Sequence, residues 1–317
     1  MSGHHHHDHG AEAGDRRIWW AVLVNVLLTF AQIAGGILSG SLSLIADALH
    51  NFSDAASLVI AYGARRIARR PADETMTFGY VRAEVVAALI NYTTLIVIGL
   101  YLLYEAVMRF ISPEPIEGWT VVIVAVIALV IDIVTAVLTY SMSKSSMNIR
   151  AAFLHNVSDA LGSVGVIVAG TAVIVYGWTW IDPAITLLIA GYILWQAFTE
   201  IGGSIRVLMM GAPEGTNISQ IVEDLLALDG VRAVHHVHVW AIDEEHNALE
   251  AHLVMDELSQ AETVRVRRAA KMVLKERHRI GHSTIEIETP EDRCDDVKVV
   301  GHARGRESRA VGEQSRT

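Results

Sequence analysis

The sequence predicts an α-helical membrane protein: six transmembrane helices followed by a C-terminal α+β domain outside the bilayer. Three observations lead there. Of the 317 residues 52% are hydrophobic, more than a soluble domain usually carries. The apolar residues concentrate before about residue 210, in six runs of the length that a hydrocarbon core demands, ~20 residues. Beyond 210 the chain turns charged and its hydrophobicity alternates. The expected layout is a His-rich tail over 1–15, a six-helix membrane domain over 16–208, a small domain over 209–290 and a disordered tail over 291–317.

The six runs are roughly 18–39, 41–64, 84–107, 119–142, 149–176 and 183–205. Their connectors differ in charge from one side to the other. Arg16 and Arg17 precede the first run. Arg65, Arg66, Arg69, Arg70 and Arg82 follow the second, Lys144 and Arg150 follow the fourth, and Arg206 follows the sixth. The opposite connectors carry only Arg109. Lys and Arg favour the cytoplasmic side, so both termini are expected in the cytoplasm. Trp119, Trp178 and Trp180 fit an aromatic belt on the outer side.

After 210, residues 216–229 read as an amphipathic helix closed by Gly230. Residues 234–242 and 248–255 alternate as strands around a turn from Asp243 to Asn247. A turn centred near Glu245 sets His238 opposite His252. Residues 260–278 follow as a helix with a basic face and 283–289 as a last strand, so the order is αββαβ, an α+β sandwich. From 291 the chain is polar and without periodicity, as in disordered segments.

Composition narrows the function. A net charge of −10 argues against nucleic-acid binding, which needs a basic patch. The single cysteine, Cys294, excludes an intrachain disulfide and a Cys-based zinc finger. The start, MSGHHHHDHG, is not a cleavable signal peptide. Its His4, His5, His6, His7 and His9 can collect metal loosely, and Asp8 interrupting the run favours a native segment over an engineered tag.

Two seven-residue stretches, LHNFSDA at 49–55 and LHNVSDA at 154–160, read almost alike. Each sets a His and an Asp four residues apart, His50 with Asp54 and His155 with Asp159, so each pair shares a helix face. Ionisable groups inside a membrane helix cost roughly 2.5–3.5 kcal/mol each on insertion scales. A single pair is explained equally well as a packing device; two copies on two helices point to one four-ligand cation site. Two imidazoles and two carboxylates suit tetrahedral Zn²⁺, with Cd²⁺ and Co²⁺ next, whereas Mg²⁺ prefers an octahedron of oxygens. The two carboxylates also balance the charge of the ion. Asn51, Ser53, Asn156 and Ser158 either orient these ligands or serve as small polar residues at helix contacts, the latter favoured. Asp47 either tunes the site or lines a watery approach to it, and Asp132 is a further candidate. Asn25, Gln32 and Asn91 are expected in interhelical hydrogen bonds. Asp182 before Pro183 reads as an ordinary helix start.

These residues resemble the cation diffusion facilitator family of metal/proton exchangers. ADALHNFSDAASL at 46–58 is similar to the family's second-helix signature, FGYVRAEVVAALIN at 78–91 to its third, and LHNVSDALGS at 154–163 to its fifth. The resemblance runs from residue 16 to about 290. It implies that His50, Asp54, His155 and Asp159 form the transport site, in the His-x-x-x-Asp form of the zinc branch. It implies a metallochaperone-like C-terminal domain that senses metal and dimerises, with His235, His252 and Glu288 as ligands and His238 and His282 as alternates. Some members carry another metal site near the FG signature. Here Asp73 and Glu74 remain, but Met76 and Tyr80 stand where His is found, so that site is not expected. Arg82 and Glu214 match a pair that holds the dimer in some members.

The function implied is export of Zn²⁺ from the cytoplasm in exchange for protons, His50 and His155 being the proton carriers because imidazole titrates near neutral pH. Zn²⁺ is then substrate and regulatory ligand, with no organic cofactor, in a homodimer in a bacterial inner membrane. The rival class is an intramembrane metal-dependent enzyme. It needs an open coordination position and a general base, and the chain has no His-Glu-x-x-His.

Overall fold

A computed structural model describes residues 26–143, 147–243, 246–256, 259–294 and 298–301. The His-rich N-terminal tail, Arg16, Arg17, Asn25, Lys144 and the expected turn centre at Glu245 lie outside the described residues. The chain divides into two compact units, 1–63 with 87–201, and 64–86 with 202–317.

The first unit is helical: α1 (Val26–Ser39 as described), α2 (Leu42–Ala68), α3 (Ala83–Ile111), α4 (Gly118–Ser143), α5 (Met147–Tyr176) and α6 (Ile181–Leu208). Spans Ala83–Ile111, Gly118–Val137, Phe153–Tyr176 and Ile181–Leu208 are long and apolar enough to cross a bilayer. The helix α2 has the length, but Asp47, His50 and Asp54 lower its hydropathy. Leu38, Leu58, Val97, Leu161 and Leu188 are exposed on the helical surface. Such faces suit lipid rather than water.

Packing in this unit joins α2 to its neighbours on several sides. Leu42 and Ala46 pack with Leu95, Leu102 and Ala106 of α3 and Ala190, Ile193 and Ala197 of α6. Leu44 packs with Val121 and Ala125 of α4 and Val166 of α5. The α1–α2 corner needs Gly40, whose φ is +71° and where a Cβ would meet the Pro115 carbonyl oxygen at 2.7 Å. At the start of α2 the Ser41 hydroxyl accepts from Leu44 N. Asp182 is more than the start of α6. Its buried carboxylate accepts from Leu42 N at 2.8 Å and from the Ser41 and Ser43 hydroxyls at 2.6 Å each. An acid on the N-terminal amides of a neighbouring helix satisfies its orphan donors and complements its dipole.

In the second unit the expected αββαβ order is present: α7 (Ile218–Leu226), β1 (Val231–Ala241), β2 (Asn247–Met255), α8 (Gln260–His278) and β3 (Ile280–Glu288). Asn217 caps α7 by accepting from Gln220 N, and Ser259 caps α8 by accepting from Glu262 N. The sheet order is β1-β2-β3, antiparallel then parallel. Val237, Leu249, Leu253, Ile221, Leu225 and Leu274 build the core between one sheet face and the two helices.

The predicted pairing of His238 with His252 is not found. His252 faces His235, and His238 faces Glu250. The register shifts between His235 and His238, where His236 has a φ of 55°. This is a bulge, which adds a residue to one strand and re-phases its alternation.

The segment 64–86, which holds the end of α2, the connecting loop and the start of α3, falls in the second compact unit. Arg82 there donates to the Ala241 and Ile242 carbonyls at 3.1 Å each, and Phe78 meets His282 edge-on. The tail is also not structureless from 291. His236 N donates to Lys298 O at 3.0 Å and Val237 N to Val299 O at 2.8 Å, so the described part of the tail runs along the outer edge of β1.

Candidate functional site

The repeated motif brings α2 and α5 together. His50 Nε2 lies 3.4 Å from Asp159 Oδ1 and 3.7 Å from Asp54 Oδ2. His155 Nε2 lies 3.2 Å from Asp54 Oδ2 and 3.6 Å from Asp159 Oδ2. Each contact across the helices is shorter than the contact along one helix, so the set closes between α2 and α5. The imidazole centroids are 6.0 Å apart. His50 Nδ1, Asp54 Oδ2 and Asp159 Oδ1 are buried without a hydrogen-bond partner. Buried polar atoms are nearly always paired, so these require an account, and one ligand atom each of His50, Asp54 and Asp159 lies within 4.8 Å of the others. A cavity of about 270 Å³ lined by Asp47, His50, Asp159 and Tyr192 adjoins the cluster.

Gln32 Nε2 donates to Asp47 Oδ2 at 2.6 Å, and Asn51 Nδ2 donates to Gln32 Oε1 at 3.1 Å. Ser53 reaches Asn91 at 3.5 Å, and Ser158 donates to Leu154 O within its own helix. Gln32 and Asn91 are thus interhelical partners, and Asn51 and Ser53 join helices.

A second cluster lies on the sheet face opposite the core, since strand side chains alternate between faces. His235 of β1, His252 of β2 and Glu288 of β3 meet there. His252 Nδ1 is 2.6 Å from Glu288 Oε1, and His235 Nε2 is 3.2 Å from Glu288 Oε2, a buried oxygen with no hydrogen-bond partner. Burial pushes the His235 imidazole below its ordinary pKa, toward the neutral form that ligates metals. Cys294 closes this cluster: its Sγ is 3.1 Å from His235 Nε2 and 3.8 Å from His252 Nδ1. One atom from each of the four residues lies within 4.8 Å of the others. The alternates lie elsewhere. His238 stacks edge-on with His236, and His282 sits beside Phe78. Sequence reasoning missed Cys294 because it falls six residues beyond Glu288, in a stretch without periodicity.

Near the FG signature, Asp73 Oδ1 accepts from Thr75 and Met76, and Oδ2 accepts from the Tyr80 hydroxyl at 2.7 Å. These bonds, that from Thr75 foremost, hold its carboxyl well below the usual range. The acid ties its own loop.

Comparison with known proteins agrees with this architecture. Residues 18–209 match the cation efflux transmembrane domain and 213–290 the cation efflux protein cytoplasmic domain. The chain is 36% identical over 288 residues to the metal cation efflux system protein CzcD of Cupriavidus metallidurans, covering 91% of this chain and 90% of that protein. It is 36% identical over 288 residues to a cadmium, cobalt and zinc/H⁺-K⁺ antiporter of Bacillus subtilis (90% and 92% covered). It is likewise 36% identical over 295 residues to the zinc transporter ZitB of Pectobacterium atrosepticum (92% and 90%). A solved metal-bound C-terminal domain of a CzcD transporter aligns with 23% of this chain and 99% of its own at 29% identity, with a TM-score of 0.22. With matches over both its parts, the chain belongs to the cation efflux, or cation diffusion facilitator, family of membrane transporters.

Proposed function

We propose that this chain exports Zn²⁺, and with it Cd²⁺ and Co²⁺, from the cytoplasm in exchange for protons, through His50, Asp54, His155 and Asp159. The observation that carries this reading is the spacing of the quartet. A tetrahedral ion with bonds of ~2 Å sets its ligand atoms about 3.3 Å apart. The two contacts across α2 and α5 are 3.4 and 3.2 Å, and the two along a single helix are 3.7 and 3.6 Å. The orphaned carboxylate oxygens then gain a cation, and the same four groups bind either metal or protons. Alternate opening of the site to the two sides couples the two flows. Names of relatives that include zinc, cadmium, cobalt and proton antiport support the substrate class. With both termini in the cytoplasm, the natural setting is a bacterial inner membrane, and the cytoplasmic domain is the surface of a homodimer.

The cluster of His235, His252 and Glu288, joined by Cys294, is the regulatory metal site in this reading. An intramembrane metalloenzyme is disfavoured, because the matched family and the similar proteins are cation efflux transporters.

Reconstituted vesicles loaded with a zinc-sensitive dye test the proposal. Zinc flux should appear with the wild-type chain, rise with an opposed proton gradient, and vanish in Asp54→Ala and Asp159→Ala variants that still fold. Full flux in either variant would refute the site.

A further inference from the structure

Beside the quartet lies a second buried acidic group that the transport reading leaves unused. Asp47 of α2 and Asp132 of α4 are both buried, 2% and 6% exposed. Neither forms an ion pair with Lys, Arg or His among the described residues. Their hydrogen-bond partners are Gln32 of α1 and Ser163 of α5, both neutral and fully buried. Ser163 Oγ bridges the two acids, 3.0 Å from Asp132 Oδ2 and 3.4 Å from Asp47 Oδ2. The approach to α5 is close because residue 162 is glycine; a Cβ there would stand 3.0 Å from Asp47 Oδ1.

A serine hydroxyl carries one hydrogen. It donates to one of the two carboxylates, and the contact with the other is a hydrogen bond only if that acid supplies its own hydrogen. Two uncompensated carboxylates in an apolar interior are also far costlier than one carboxylate and one carboxylic acid. We propose that Asp47 and Asp132, bridged by Ser163, hold one proton between them and form a proton site separate from the four metal-facing side chains.

The proton moves within the pair without change of total charge. The Asp132 O–H bond breaks as its proton passes to Ser163 Oγ, while the Ser163 O–H bond breaks and its proton joins the Asp47 carboxylate. Asp47 lines the cavity that also holds His50 and Asp159, so its proton reaches the same space as the cation. Among the described residues, the titratable groups beside the pair include His50, Asp159 and, from α6, Tyr192, which line the cavity with Asp47, and Asp54 and His155, which meet the first two. A proton on the pair removes one negative charge beside the quartet and so weakens cation binding there. By linkage, a bound cation favours release of that proton. This coupling rests on the transport reading above; the proton site itself does not.

Infrared difference spectroscopy of the metal-free full-length protein in lipid, stepped in pH, tests the proton site directly. The expected result is a carboxylic-acid C=O band that shifts on aspartate ¹³C labelling. It should disappear in Asp132→Asn and in Asp47→Asn, and move without disappearing in Ser163→Ala. Absence of the band from the labelled wild-type chain, or its persistence in both Asn variants, overturns the proposal. The labelled wild-type spectrum keeps the test decisive if a variant fails to fold. Zinc titration of the same samples separates the two readings. Protons released per zinc bound should fall by up to one in Asp132→Asn while zinc still binds. An unchanged release overturns the coupling, and loss of zinc binding from the wild-type chain overturns the transport site while the pH-driven band still decides the pair.

Discussion

At the scale of single residues, each histidine of the quartet meets a carboxylate on the other helix more closely than the one on its own. Neither helix alone makes the site; the i,i+4 spacing only puts two ligands on each facing side. That spacing made His50, Asp54, His155 and Asp159 legible in the chain, because a helix has one period and each motif obeys it. Cys294 was not legible. No local pattern announces a residue that reaches its partners from an irregular segment past the last strand. Its thiol makes the cluster on the sheet softer than a nitrogen–oxygen set, and soft ligands favour soft ions. In a chain whose Asp54 and Asp159 are replaced by Ala, Cys294→Ser should weaken Cd²⁺ binding at least ~10-fold, the lower end of what loss of a supporting group costs. Zn²⁺ binding should weaken less. Calorimetric titration with each ion checks this, and equal losses would remove the thiol from the ligand set.

At the scale of elements, α2 is held at its start by an acid from α6. Asp182 satisfies Leu42 N and the Ser41 and Ser43 hydroxyls, and it is almost wholly buried. Hydrogen bonds to a charged group contribute roughly 1.5–3 kcal/mol each. Asp182→Ala should therefore lower the melting temperature of the purified transporter markedly, with Asp182→Asn intermediate; an unchanged melting temperature would show that the cap is dispensable. In the sheet unit, Asp224 of α7 ties that helix to α8 through His278 at 2.9 Å and Arg277 at 2.9 Å. His278 first, then Arg277, hold the Asp224 carboxyl below its ordinary value. A depressed carboxylate stabilises the fold above the unfolded pKa of ~3.9, and the contribution is lost as pH falls through the folded value. Hydrogen exchange should show α7 amides better protected in wild type than in Asp224→Asn at neutral pH, with the difference closing under strong acid. The predicted strands and helices of this unit were all legible from alternation and periodicity. The register was not: a backbone in the left-handed region at His236 shifts β1 by one residue, and no residue there favours that conformation as glycine would.

At the scale of the whole molecule, the two candidate metal clusters belong to different compact units, one helical and one built on a sheet. Among the described residues beyond Pro290, Cys294 joins the second cluster. A chain ending at Pro290 should keep zinc flux that depends on Asp54 and Asp159, and should lose tight Cd²⁺ binding at the cluster on the sheet. Flux assays beside binding stoichiometry check both halves, and loss of flux with intact folding would show that the tail serves transport.

The sequence by itself determined the kind of molecule: apolar run length dictates membrane helices, strand alternation dictates the αββαβ unit, and two copies of one spacing dictate which side chains share a helix face. Only the tertiary structure decided which groups meet across elements. The Asp182 cap, the Asp47–Ser163–Asp132 bridge, the His235–His252 register and the arrival of Cys294 all join residues distant in the chain. Periodicity orders a chain over one or two turns, and contacts at longer range depend on how whole helices and strands pack.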